Sequence, residues 1–179
     1  MILASASPQR RAILEQVGIP FTVRPADVEE EITGDPAAVA EANARAKAAA
    51  VPGELVLGAD TVVALDGEIL GKPRDAVQAR EYLERLNGRA HEVVGGIALK
   101  EGGETVTAVE TTRVSFRRVD GATLGWYVAT GEWRGRAGGY AIQGAGAALV
   151  AAVEGDYLNV VGLPLARLLD LRPDLLPAR

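Results

Sequence analysis

The stretch GADTVVALDGEILGKP, residues 58–73, holds an acid and a base whose positions folding alone does not explain. Asp60 follows directly on the apolar run LVLGA, and Lys72 returns just before a proline. A carboxylate at the buried end of an apolar strand needs a partner: a metal, a cation or hydrogen-bond donors. Ligands in α/β sheets also bind beyond strand ends. Asp66-Gly67 is a strong hairpin signal, and a hairpin there brings Lys72 back beside Asp60. A carboxylate, an ammonium and a metal together suit phosphoryl chemistry. The cations offset charge, and the carboxylate holds metal or orients water. A surface salt bridge is the competing reading.

Other segments add to this pair. In SPQRR, Arg10 and Arg11 fall in the first turn of a predicted helix, where the positive end of the helix disfavours cations. The placement makes sense if an anion docks on the free N–H groups with an arginine beside it. If Arg10 pairs with phosphate, removing it should weaken triphosphate binding and leave the free protein as stable or slightly more so; the competing reading is that both arginines point into water. In VEEEI, three adjacent acids read as a solvated loop. Strand-like alternation sends Glu30 to the side opposite Glu29 and Glu31. Asn43 and Lys47 lie four apart and share a helix face, which taken alone reads as a solvated stripe. His91 reads as a structural hydrogen-bonding group. The glycines of AGGYAIQGAG, residues 137–146, permit close approach of backbone to a ligand. Gln143 can both donate and accept through one amide, which suits the edge of a base. Neither G-x-G-x-x-G after a strand nor G-x-x-x-x-G-K-[ST] occurs, so no dinucleotide or P-loop reading applies.

Composition narrows the chemistry. The 179 residues fit one domain with a real core, and 48% hydrophobic with 24% charged residues marks a globular chain. A net charge of -5 argues against coating nucleic acid, though not against a local basic pocket. No apolar run is long enough to span a membrane. The start, MILASASPQRR, has the opposite order to a secretory signal, so a cytoplasmic protein is expected. With no cysteine and one histidine, thiolate zinc sites and cysteine nucleophiles are excluded. Any metal is then held mainly by oxygen, which points to Mg²⁺ or Mn²⁺.

Several elements must position these groups. Met1–Ala4 reads as a short buried strand. Ser7, Asp35, Asp75 and Asp120 read as N-caps, the first two with proline at the first helical position. The first helix runs from Pro8 to about Val17 and stops at Gly18. IPFTVRPA reads as a strand with Phe21 and Val23 on one face, and ELVLGA as an apolar strand ending at Asp60. A second hairpin turns at Gly102-Gly103. AALVAAV is expected to be a strand, Asp156–Asn159 a turn, and Pro164 the start of a last helix. This mixture of elements predicts one mixed α/β domain over residues 1–179.

LASASPQRRAIL, GADTVV, GKPRD, AGGYAIQG and NVVGLPL occur in that order from residue 3 to residue 165. Together they closely resemble the Maf (septum-formation-inhibitor-like) nucleotide pyrophosphatases. The resemblance implies an inosine-triphosphatase-like α/β fold with a long central mixed sheet, flanking helices and an active-site cleft between two lobes. It implies metal-dependent hydrolysis of nucleoside triphosphates to monophosphate and pyrophosphate by a cytoplasmic protein, often a homodimer. Ser7, Arg10, Lys47 and Gln143 fall on the family's substrate-binding positions. Asp60, Lys72 and Glu30 fall on its catalytic positions, with Asp60 and Glu30 as implied Mg²⁺ or Mn²⁺ ligands. The glutamine loop marks the branch acting on dTTP and UTP, with modified pyrimidine nucleotides within its range. The first arginine of the usual S-P-R-R is Gln9 here, and the adjacent Arg11 is its substitute in part. Two other classes stay open: a non-enzymatic nucleotide-binding regulator of cell division, and a phosphatase releasing orthophosphate.

Overall fold

The computed structural model describes residues 1–177. It is a mixed α/β protein built on a seven-stranded sheet. The strands are β1 (Ile2–Leu3), β2 (Thr22–Val23), β3 (Leu55–Leu65), β4 (Glu68–Leu70), β5 (Ala90–Glu101), β6 (Glu104–Phe116) and β7 (Val150–Glu154). The spatial order is β2-β1-β3-β5-β6-β7, with β4 also on β3. β1 runs parallel to β2 and β3, and every other pairing is antiparallel. The helices are α1 (Pro8–Gln16), α2 (Pro36–Ala50), α3 (Ala76–Leu86), α4 (Gly121–Thr130), α5 (Tyr157–Val161) and α6 (Leu165–Leu171).

Local chemistry sets most of these boundaries. The Asp35 carboxylate accepts the Ala38 N–H at 2.9 Å, Asp75 accepts that of Gln78 at 2.8 Å, and Asp120 that of Thr123 at 2.8 Å. Each satisfies a donor that the first helical turn cannot pair internally. At the β3–β4 hairpin, Asp66 and Gly67 both take positive φ, 52° and 81°, as the tightest two-residue turn requires.

Three expectations shift. ELVLGA does not end at Asp60: the chain stays extended through TVVAL, so Asp60 lies in the middle of the eleven-residue β3. IPFTVRPA supplies only the two-residue β2, whose Val23 is exposed rather than packed. AALVAAV is half strand, because Ala145–Leu149 coils into a 3₁₀ segment before β7 begins. In addition, Asp156 caps the short α5 where a simple turn is expected.

The architecture opens the sheet at one place. β5 pairs with β3 from Leu55 to Ala64 along one edge. On the other edge, β1 covers Val56 and Leu57, and β4 covers Val63 to Leu65. Among the described residues no strand pairs with Gly58–Val62 on that edge. Asp60 and Thr61 sit in this gap, and alternation sends their side chains to opposite faces.

α2 lies unusually close over the same region. A Cβ on Gly58 would stand 2.1 Å from the Ala44 carbonyl oxygen, and one on Gly96 2.3 Å from that of Ala40. Gly96 is the β5 partner of Asp60. The alanine face of α2, including Ala40, Ala44 and Ala48, therefore rests directly on backbone, buried completely. Gly58→Ala should push α2 off the sheet and cost about 1–3 kcal/mol, as overpacked cores do. Thermal unfolding should show a melting temperature lower by several degrees; an unchanged value would mean that α2 is free to lift.

Candidate active site

α2 brings Asn43 and Lys47 onto Asp60. Lys47 Nζ lies 2.6 Å from Asp60 Oδ1 and 2.7 Å from Glu30 Oε1. Asn43 Nδ2 donates to Asp60 Oδ2 at 3.0 Å. The same amide clamps the acidic loop, accepting the Glu31 N–H at 2.8 Å and donating to the Glu31 carbonyl at 2.9 Å. That grip on Glu31 leaves the neighbouring Glu30 facing Lys47. Asn43, Lys47 and Asp60 are all buried. The solvated-stripe reading of Asn43 and Lys47 is thus incorrect, since α2 turns this face inward. Asn43 is the residue that sequence reasoning left out of the site.

Lys72 completes the set. After β4 the chain returns as expected, but Lys72 meets Glu30 rather than Asp60, at 2.8 Å. Its side chain is 54% exposed, whereas that of Lys47 is 9% exposed. Burial alone would raise the Glu30 carboxyl. The hydrogen bonds from Lys47 and Lys72, with their charges, outweigh this and lower it from 4.5 to about 2.

Arg10 occupies the other face of β3. Its Nε donates to the Gly162 carbonyl at 2.8 Å, Nη1 to Ser5 Oγ at 2.9 Å and Nη2 to Thr61 Oγ1 at 3.2 Å. It is 9% exposed. Burial lowers its pKa, opposed by the charges of Asp60 and Glu30. The reading in which Arg10 points into water is therefore overturned, and with it the expectation that its loss leaves the free protein no less stable: it ties α1, β3 and the α5–α6 connection together. Three of its five N–H donors are used this way, which leaves two. Ser7 caps α1, its Oγ lying 3.5 Å from the Arg10 backbone nitrogen and donating to Gln9 Oε1 at 3.2 Å. Arg11 stands apart. Its side chain is 58% exposed and pairs with Glu15 at 3.5 Å one turn along α1, so it does not take the place of an arginine at position 9.

These groups surround a cleft of about 350 Å³. Ser5, Arg136 and Tyr140 are among its lining residues. Ser7, Arg10, Glu30, Lys47, Asp60, Lys72 and Gln143 all line it; Arg11 does not. Where this edge of β3 is open, the cleft is lined from both faces of the sheet, by Asp60 and Lys47 on one and Thr61 and Arg10 on the other. A second cavity of about 350 Å³ adjoins it, sharing Glu30, Asp60, Thr61, Lys72 and Ala137.

Could two carboxylates hold a metal here? Among the described residues no cluster of three or more His, Cys, Asp or Glu side chains forms a protein-only cage. Each Asp60 and Glu30 oxygen already accepts one hydrogen bond and keeps a further lone pair. Hard divalent ions are commonly held by one or two carboxylates together with substrate phosphates, so the donor set fits Mg²⁺ or Mn²⁺ in that mode. His91 is not in reach of this chemistry. It is buried, its Nε2 lies 2.8 Å from the Tyr140 hydroxyl, and burial lowers it to about 4.

The fold and cleft define an α/β protein with a cation-lined crevice at an interrupted sheet edge. The Maf-like protein family model matches residues 1–173, and the chain belongs to that family. It is 50% identical over 173 residues to the dTTP/UTP pyrophosphatase of Symbiobacterium thermophilum, covering 93% of this chain and 89% of that protein. The proteins of the same name from Thermus thermophilus and Pyrococcus furiosus are 49% and 44% identical, each over 96% of this chain and 92% and 93% of their own lengths. Among solved structures, the Staphylococcus aureus Ham1 protein overlaps with a TM-score of 0.43 at 18% identity, over 64% of this chain and 70% of that one.

Two outcomes are expected from this geometry. Arg10→Ala removes a buried group bonded at three places. Hydrogen bonds to charged groups contribute about 1.5–3 kcal/mol each, so the melting temperature should fall clearly. A variant as stable as the parent would restore the expectation that the free protein does not need Arg10. For Glu30, the folded carboxyl is lower than the unfolded one, so its contribution is present above about 4.5 and is lost as pH falls towards about 2. Urea unfolding across that range should lose part of its pH slope in Glu30→Gln; an unaltered slope would mean that the lysines do not hold the carboxylate.

Proposed function

We propose that this chain is a nucleoside triphosphate pyrophosphatase that hydrolyses dTTP and UTP to the monophosphate and pyrophosphate. The observation that carries the reading is the convergence, in one cleft, of Asp60, Glu30, Lys47, Lys72 and Arg10. Relatives at about half identity over nearly the whole chain bear that activity in their names.

In the reaction, the oxygen of water bonds to the α-phosphorus, the bond to the α,β-bridging oxygen breaks, and pyrophosphate leaves. The water proton goes to Asp60, which lines the cleft. Lys47 and Lys72 flank Glu30 and offset negative charge gathering on the departing pyrophosphate. The remaining Arg10 donors and the N-terminus of α1 bind phosphate oxygens. Asp60 and Glu30 would hold Mg²⁺ or Mn²⁺, which when bound neutralises triphosphate charge. Gln143 lies exposed in the same cleft and offers an amide complementary to the adjacent carbonyl and N–H of uracil or thymine. With the amide held in one orientation, cytosine puts an amine where uracil has a carbonyl, and purines are too long for the pocket. A cytoplasmic setting and a homodimer belong to the same reading through the family resemblance.

The test is a panel of UTP, dTTP, CTP, ATP and GTP with Mg²⁺ or Mn²⁺, scored separately for pyrophosphate and orthophosphate. UTP and dTTP should give the highest kcat/KM and release pyrophosphate. Orthophosphate alone would make the protein a phosphatase, and binding without turnover would make it a nucleotide-binding regulator. Asp60→Asn should lose on the order of 10²-fold or more in turnover while staying folded. Activity within about threefold of the parent would remove Asp60 from the mechanism.

A further inference from the structure

Gln143 is an exposed side chain on a glycine-rich segment, yet its backbone is held from several sides. The Gly144 N–H donates to the Ala141 carbonyl at 3.1 Å, closing a turn with Ile142 and Gln143 at its corners. Before the turn, the Ala141 N–H donates to the Tyr127 hydroxyl at 3.0 Å. After it, the Ala145 N–H donates to Glu132 Oε2 at 2.8 Å. A Cβ on Gly144 would stand 2.4 Å from that same Glu132 oxygen, so the carboxylate lies directly against the turn. One residue further back, Tyr140 is fixed by His91.

Tyr127 and Glu132 come from α4 and the loop after it. Tyr127 is fully buried, and neither residue lines the cleft. Burial pushes the Tyr127 hydroxyl up to about 12, so it stays neutral and able to accept an N–H. A planar amide reads a base edge only if its carrier is fixed in position and angle. Flexible glycine-rich backbone does not supply that by itself.

The geometry points to Tyr127 and Glu132 as positioning residues for base discrimination: they hold the two ends of the turn that presents Gln143, without touching the nucleotide. This rests on the reading above, in which Gln143 faces the pyrimidine. Loss of either anchor frees one end of the turn, and the amide then samples orientations that no longer favour uracil over cytosine.

The readout is the ratio of kcat/KM for UTP to that for CTP. A ratio is independent of the fraction of folded enzyme, so a merely destabilised variant does not move it. Tyr127→Phe deletes only the hydroxyl. Glu132→Ala deletes the acceptor, and Glu132→Gln keeps an oxygen able to take the Ala145 N–H. The ratio should fall about three- to tenfold in Tyr127→Phe and Glu132→Ala, the scale of one lost hydrogen bond. Glu132→Gln should restore most of it. In a Gln143→Ala background, which itself flattens the ratio, Tyr127→Phe should have no further effect. An unchanged ratio in both anchor variants would overturn the inference, as would an equal drop with Gln143 already removed. A parent enzyme that hydrolyses UTP, CTP and ATP alike would instead sink the reading of Gln143 as base-facing, and the inference with it.

Discussion

The structure turns on one ammonium group buried between two carboxylates. Lys47 touches Asp60 and Glu30 at 2.6 and 2.7 Å. Asp60 could not sit at this depth without it, because an unpaired buried charge is among the costliest things a fold can hold. Such a pair contributes little net stability compared with apolar packing, yet removing one partner costs about 3–5 kcal/mol. The arrangement is thus better explained by a task than by folding. Two glycines make it attainable. Only because Gly58 and Gly96 lack side chains does α2 come close enough for Asn43 and Lys47 to reach Asp60.

The interrupted edge of β3 turns that buried network into a site. A fully paired strand would give Asp60 a neighbour on both sides and seal it in. Here pairing with β1 stops at Leu57 and pairing with β4 starts at Val63, and Asp60 lines the cleft between them. The cleft draws Lys47 and Asp60 from one face of the sheet and Arg10 with Thr61 from the other. Four cations, Arg10, Lys47, Lys72 and Arg136, line it against two carboxylates, Glu30 and Asp60. A chain of net charge -5 therefore keeps a local positive excess where an anion would bind.

What was legible in the sequence was local. The caps at Asp35, Asp75 and Asp120 and the turn at Asp66-Gly67 each depend on residues within four positions of one another, and each stands where it was read. What was misread depended on distant partners. Counting only the first turn of α1 made Arg10 unfavourable, but its partners Gly162 and Thr61 lie 152 and 51 residues away. Asn43 and Lys47 looked solvated because an alanine-rich helix offers little contrast between its faces. The missing signal was the pair of glycines on the strands that receive it. Asp60 seemed to end a strand because the polar residues after Ala59 resemble a boundary, although the gap lies in its neighbours rather than in β3 itself.

The energetics also decide which contacts can give way when a charged ligand enters. The Lys72–Glu30 pair has a lysine side chain 54% exposed, in water that screens it and competes for it. Pairs of that kind are worth about 0–1 kcal/mol. The Lys47–Asp60 pair is shielded on both sides, with side chains 9% and 7% exposed, and Asn43 braces it. Opening that pair would strand a buried charge. Rearrangement therefore falls to the outer pair. On the reading proposed above, a phosphate would draw Lys72 off Glu30 while Lys47 keeps Asp60 and Glu30 in place.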